Sequence, residues 1–173
     1  MKESKEILMV EDSATDAELA LRSFKLAQFT NPVTVAASGE QGLAYLFGTG
    51  AFADRGPTRP QLILLDLNLP GMSGIDFLQR IKVDARTRDL PVVVLSMSER
   101  DRDVTACVQL GAEAYLVKPL NFESFARITT RLKLRLSLVT PPAGGKSGGW
   151  VLSGVCEVPS VRPPGGGSSS GQE

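Results

Sequence analysis

A parallel α/β fold is the architecture this chain predicts, and three observations point to it. Over residues 1 to about 138, apolar runs alternate with amphipathic segments in the manner of repeated β-α units. The runs are near-continuous in Ile, Leu and Val and do not alternate with polar residues, as expected of strands covered on both faces by helices. Four of them end in polar groups that open a turn: Ile7-Leu8-Met9-Val10 in Glu11-Asp12, Leu62-Ile63-Leu64-Leu65 in Asp66, Val92-Val93-Val94-Leu95 in Ser96, and Tyr115-Leu116-Val117 in Lys118-Pro119. As neighbouring parallel strands, these runs would gather three acids, a hydroxyl and an amine at one sheet edge, where open α/β sheets place their ligand sites.

Strands are expected at roughly 6–10, 32–36, 62–66, 92–96 and 114–117. The first helix carries Ala17, Ala20, Leu21 and Phe24 at core-facing spacing, opened by Ser13 three before Asp16. Ser38, three before Gln41, opens the second, and Ser73-Gly74 opens a third bearing Phe77, Leu78 and Ile81. Ser98 before Asp101 starts the fourth, with Val104 and Val108 inward, Cys107 as a small packed residue and Gly111 as its stop. Asn121 caps the fifth, whose stripe is Phe122, Phe125, Ile128 and Leu132. One connection is long: Gly48 to Arg59, with Gly50, Gly56 and Pro57, reads as a loop and a candidate partner contact.

Composition shifts at Val139. The last thirty-five residues hold nine of the seventeen glycines and five of the eleven prolines, and Gly165 to Gly171 is linker-like. The expected organisation is therefore a domain over 5–138 and a disordered or partner-docking tail over 139–173. Trp150-Val151-Leu152 and Val155 to Val158 offer a short hairpin around Ser153-Gly154, with too little apolar surface for an independent domain. Gly145-Lys146-Ser147 is not a phosphate loop, because Thr140 stands where that motif needs its first glycine.

Bulk properties exclude several functions. Nineteen basic residues balance nineteen acidic ones, so no net field draws the chain to nucleic acid or anionic lipid. The apolar runs are too short to cross a bilayer, and the N-terminus lacks a secretory h-region. Cys107 and Cys156 give neither a disulfide framework nor zinc spacing, which fits a reducing cytoplasm. The chain has no histidine. Histidine-assisted nucleophiles, histidine zinc sites and an internal phosphohistidine are thereby excluded, and any phosphohistidine donor must be another protein.

The remaining chemistry is that of carboxylates, an amine and hydroxyls. Phosphoryl transfer from a phosphoramidate to a carboxylate is mostly positioning and charge stabilisation. Asp66 would supply the attacking oxygen. A phosphoryl group approaching three carboxylates is repelled unless a divalent cation intervenes, and an oxygen-only donor set favours Mg²⁺. Asp12 is the best direct ligand, Glu11 the holder of a metal-bound water, and the main-chain carbonyl of Asn68 a third ligand. Lys118 would act as a point charge on phosphoryl oxygens and on Asp66, Ser96 would donate a hydrogen bond, and Pro119 would stiffen the turn that aims the lysine. Each residue has a plain reading alone: a helix-cap acid, a turn residue, a strand-end hydroxyl, a solvated lysine. Their shared position at the ends of separate strands favours one site over five coincidences.

These motifs, Val10-Glu11-Asp12-Ser13, Leu64-Leu65-Asp66-Leu67-Asn68-Leu69-Pro70-Gly71-Met72-Ser73-Gly74, Val94-Leu95-Ser96 and Tyr115-Leu116-Val117-Lys118-Pro119, resemble the receiver domain of two-component response regulators over about residues 5–138. The long loop and the Leu62 to Pro70 wording are similar to stand-alone regulators paired with bacteriophytochrome histidine kinases. The resemblance implies a doubly wound, flavodoxin-like fold with five parallel strands in the order 2-1-3-4-5. It implies Asp66 as phosphoacceptor, Glu11 and Asp12 as the acid pair, Ser96 and Lys118 as phosphate sensors, and Tyr115 as the switch aromatic that follows Ser96. Signalling in this family shifts an equilibrium between two arrangements of the fourth helix, fifth strand and fifth helix. The pair begins with Glu where Asp is also common, which alters reach to the metal-bound water. No output domain follows in the sequence, so output is expected through protein contact: a sensor histidine kinase, a homodimer through that same face, or a relay protein. The basic set Arg127, Arg131, Lys133 and Arg135 reads as a solvated helix face or a partner surface.

Three other functions fit these residues less well. An aspartyl-nucleophile phosphatase needs a second carboxylate two residues after the nucleophile, and position 68 is Asn. A binding-only pseudo-receiver would have no use for all five site groups. A flavodoxin-like electron carrier lacks its phosphate loop here, and Glu11-Asp12 would repel a flavin phosphate. The chain is thus expected to be a phosphoacceptor and not an enzyme acting on a separate substrate.

Overall fold

A computed structural model describes residues 1–3, 5–26, 29–97, 101–120, 123 and 125–127. Its strands are β1 (Lys2–Glu3), β2 (Ile7–Val10), β3 (Val33–Ala36), β4 (Thr58–Arg59), β5 (Leu62–Asp66), β6 (Val92–Ser96) and β7 (Ala114–Val117). The helices are α1 (Ala14–Leu26), α2 (Gly39–Phe47), α3 (Gly74–Val83) and α4 (Asp101–Gln109), with a 3-10 turn over Gly50–Arg55. Five strands form one sheet in the order β3-β2-β5-β6-β7, all parallel, which is the expected 2-1-3-4-5 when the strands of this sheet are counted along the chain. Helices pack on both faces, giving the expected doubly wound, flavodoxin-like fold.

The strands read as continuous apolar runs because each face of the sheet buries every second residue. Leu8, Val10, Ile63, Leu65, Val92 and Val94 point to one side and pack with Tyr45 and Leu46 of α2, Phe77, Leu78 and Ile81 of α3, and Cys107 of α4. Ile7, Met9, Leu62, Leu64, Val93 and Leu95 point to the other, where they meet Ala17, Ala20 and Phe24 of α1 and Phe125. Each such side chain contributes roughly 1.5–3 kcal/mol by leaving water. Phe24, Phe29 and Phe125 close the second layer as an aromatic triad, with ring centroids 4.8–5.9 Å apart.

One core assignment differs from expectation. Leu21 was expected to face the core, yet it is 37% exposed, because the stripe of Ala17, Ala20 and Phe24 already fills the sheet-facing side of α1. In α4 the fully buried side chain is Cys107, flanked by half-buried Val104 and Val108. Burial pushes its thiol up to about 11, so at neutral pH it is a protonated, packing residue.

The Gly48–Arg59 connection is more ordered than a loop. Gly48 ends α2 in a left-handed conformation, φ 64°, the 3-10 turn follows, and β4 pairs in parallel with β1 to form a second, two-stranded sheet. Arg55 stacks 4.5 Å over the Tyr45 ring, while the Tyr45 hydroxyl and the Arg55 guanidinium both donate to Glu6 Oε2 at 2.6 Å. This cluster fastens the connection to α2 and to the start of β2. Tyr45→Phe removes one donor from Glu6 while keeping the ring, and should lower stability by about 1–2 kcal/mol, read as a drop in the urea midpoint at unchanged slope.

Of the fifth helix expected from Asn121, residues 123 and 125–127 are described, and they are helical. Asn121, Phe122, Ile128, Leu132, Arg131, Lys133 and Arg135 lie outside the described residues, as do Ser98 and all of 139–173. Among the described residues, no helix is long and apolar enough to cross a membrane.

Candidate functional site

Register places the site. Val10 pairs with Leu65, so Glu11 emerges beside Asp66; Asp66 pairs with Leu95, and Ser96 pairs with Val117, one residue before Lys118. The ladder runs one step past β2, because the Glu11 N–H donates to the Ala36 carbonyl at 2.9 Å. The Lys118 N–H likewise donates to the Ser96 carbonyl at 2.9 Å, and the Lys118–Pro119 peptide is cis. All five groups expected at the edge therefore reach one end of the sheet. Glu11, Asp66 and Ser96 are buried there, whereas Asp12 is exposed.

The Lys118 ammonium is the hub. Its Nζ lies 2.7 Å from Glu11 Oε2, 2.8 Å from Asp66 Oδ2 and 2.8 Å from Asp16 Oδ2. Three N–H donors thus meet three carboxylates. Burial pulls this amine downward, but hydrogen bonds with Asp16, Asp66 and Glu11 outweigh it and hold the pKa above the usual lysine range. The lysine stays charged.

The carboxylates are held from the main chain as well. Asp66 Oδ1 accepts from the Asn68 N–H at 3.1 Å, and Glu11 Oε1 accepts from the Ser13 N–H at 3.2 Å. Burial raises the pKa of Glu11, with Lys118 opposing and the Asp66 charge adding to the rise. Four carboxylates crowd one ammonium, and oxygens of Glu11, Asp12 and Asp66 lie within 4.8 Å of one another. Excess negative charge, an exposed acid at the mouth and an all-oxygen donor set fit a hard divalent cation held partly by water.

Two residues escaped the sequence reading. Asp16 was assigned to a capping box, and half of that box forms: its N–H donates to Ser13 Oγ at 3.2 Å. The reciprocal acceptor for the Ser13 N–H is Glu11, which leaves the Asp16 carboxylate free for Lys118. Glu40, in the first turn of α2, is the other. Hydrogen bonds from its own main chain, from Ser38 and from the Met72 main chain hold its carboxyl below the usual range. It thereby ties α2 to the β5–α3 turn, where Gly71 adopts φ 74°. The spacing of Ser38 three before Gln41 gave only a helix start, and nothing local marks the second partner of Glu40. Tyr115, expected as a switch aromatic, is buried on β7 in the layer of Val94 and Cys107.

Comparison with known proteins agrees with the fold. Residues 7–130 match the response regulator receiver domain family. Response regulator Rcp1 of Synechocystis is 35% identical over 140 residues, covering 80% of this chain and 94% of that protein. The structure of the bacteriophytochrome response regulator AtBRR superposes with a TM-score of 0.71 at 36% identity, covering 79% of this chain and 97% of that one. The Mn²⁺-bound form of Rcp1 superposes with a TM-score of 0.64 at 35% identity, covering 80% and 99%. With the motifs, the sheet order and the edge cluster in agreement, this chain belongs to the response regulator receiver domain family of two-component signalling.

Proposed function

We propose that this chain is a single-domain response regulator that accepts a phosphoryl group on Asp66 from the phosphohistidine of a partner sensor kinase. The observation that carries the reading is the convergence of Lys118, Glu11 and Asp66 at 2.7–2.8 Å beside exposed Asp12. Asp66 supplies the attacking oxygen, and the bond to the donor imidazole nitrogen breaks as the new P–O bond forms. Glu11, Asp12, Asp66 and the Asn68 carbonyl are the residues that would hold Mg²⁺. When bound, the cation neutralises charge on the phosphoryl oxygens. The relative crystallised with Mn²⁺ supports divalent-cation binding in the family. Lys118 already carries its positive charge to the reacting oxygen, and Ser96 stands at the end of the adjacent strand to receive a phosphoryl oxygen. Tyr115, on the neighbouring strand two register positions before the partner of Ser96, is the residue through which that contact would spread to the fourth helix, fifth strand and fifth helix.

Relatives that carry bacteriophytochrome in their description support a photoreceptor kinase as the donor. An output through protein contact, including a homodimer on the face that bears Tyr115, and a cytoplasmic location follow from the same reading. The test is transfer from autophosphorylated kinases of the same genome in the presence of Mg²⁺. One kinase should label the chain within seconds to minutes and the others far more slowly. Equal, slow labelling by every kinase, or none with chelator-insensitive background, would remove the partner assignment.

A further inference from the structure

Lys118 faces a problem that its three contacts pose together. A lysine stem is flexible and carries about 2 kcal/mol of rotamer entropy, so a reactive position must be enforced from outside. Two of its three anchors belong to the reacting centre: Glu11 and Asp66 lie 2.7 and 2.8 Å from Nζ. Both change during the reaction that the proposed function describes. Asp66 becomes an acyl phosphate and loses its carboxylate charge, and Glu11 is one of the residues that would hold the cation. The third anchor does not change. Asp16 Oδ2 sits 2.8 Å from Nζ, and its residue is fixed in the first turn of α1 by the N–H bond to Ser13 Oγ.

We propose that Asp16 is a positioning residue that keeps the Lys118 ammonium at the acceptor throughout phosphoryl transfer. The proposal rests on the phosphoacceptor reading of Asp66. Asp16 reaches the amine from α1 and Asp66 from the end of β5, so the amine is held both by a helix that takes no part in the chemistry and by a strand end that does. The bond spans 102 residues of sequence. It therefore also ties the β7 turn to α1 at the mouth of the site. As Asp66 gives up its charge, the two donors released from Asp66 and Glu11 become available to phosphoryl oxygens, while the third keeps the stem from swinging into solvent. The Asp16 side chain is 39% exposed, so its substitution disturbs little packing.

Asp16→Asn keeps the size and the cap N–H while removing the charge. Glu18→Gln removes an equal charge from an exposed position of the same helix that does not face the lysine. An ammonium held by carboxylates exchanges its protons slowly enough to give a ¹H–¹⁵N correlation near neutral pH, and a free lysine amine does not. Before labelling, Glu11 and Asp66 still hold the amine, so all three proteins should show that Lys118 signal; once labelled, the wild type and Glu18→Gln should keep it and Asp16→Asn should lose it. Initial labelling by acetyl phosphate with Mg²⁺ should slow by roughly five- to tenfold in Asp16→Asn, stay unchanged in Glu18→Gln and recover in large part in Asp16→Glu. A wild type that takes no label overturns the acceptor reading. A labelled wild type beside an Asp16→Asn variant with the same rate and the same ammonium signal overturns this inference alone, and so does an equal slowing in Glu18→Gln.

Discussion

Asp66→Asn should take no label from acetyl phosphate above background, a loss of at least about three orders of magnitude, because the attacking carboxylate is gone. The substitution is nearly isosteric. Its amide oxygen can still accept the Asn68 N–H that now reaches Oδ1 at 3.1 Å, so the turn should hold. Lys118 keeps Glu11 and Asp16 as anchors. Stability should change little, since the lost ion pair is offset by relief of repulsion among crowded carboxylates. That relief has a sign. The Asp66 charge is one of the causes that raise the Glu11 pKa, so the Glu11 carboxyl should titrate lower in the variant, without reaching the range of an exposed acid while burial persists. Magnesium affinity should fall as well, with one of three clustered carboxylates removed. Intact-mass measurement after acetyl phosphate treatment reads the first outcome and a magnesium titration the second. Undiminished labelling would assign the acceptor elsewhere, with exposed Asp12 as the nearest candidate.

What the sequence disclosed here, and what it hid, follows one physical divide. A buried parallel strand must be apolar on both faces, so the first polar residue after the run marks the strand end; four such marks located Glu11, Asp12, Asp66, Ser96 and Lys118 without a structure. Sheet register then did the rest, since parallel neighbours bring their ends to the same edge. Pairings across long separations left no such mark. Asp16 has a sufficient local explanation as a cap acid, and its partner is 102 residues away. The β1–β4 pair is two residues per strand, too short for any periodicity to show, and rests on tertiary contact instead. Arg55 over Tyr45 is of the same kind: a basic residue in a glycine-bounded connection looks solvated until the ring beneath it is seen. Helix faces were legible to within one position. Leu21 shows the limit, because a periodic stripe fixes which side faces inward but not which of two adjacent residues, Ala20 or Leu21, the neighbouring layer reaches first.

Gly74→Ala should destabilise the fold by at least about 3 kcal/mol or prevent its formation, although intrinsic helix propensity alone would favour the change by about 1 kcal/mol. The two effects have opposite signs, which makes the measurement decisive. Gly74 opens α3 directly after the acceptor strand, and its N–H donates to the Leu67 carbonyl at 3.0 Å. A methyl group there would sit 2.2 Å from the Asp66 carbonyl oxygen, 2.5 Å from Leu67 Cα and 3.0 Å from the Asp66 carbonyl carbon. All three are main-chain atoms, so no rotamer change relieves the overlap. Either α3 withdraws, pulling Phe77, Leu78 and Ile81 out of the layer they share with β5 and β6, or the end of β5 shifts and carries Asp66 away from Lys118. The first route costs core burial. The second costs the site, so any folded fraction should label more slowly than the wild type. Urea unfolding of Gly74→Ala beside the wild type reads the balance, and a midpoint at or above that of the wild type would mean that helix and strand end are not in the contact that places Asp66.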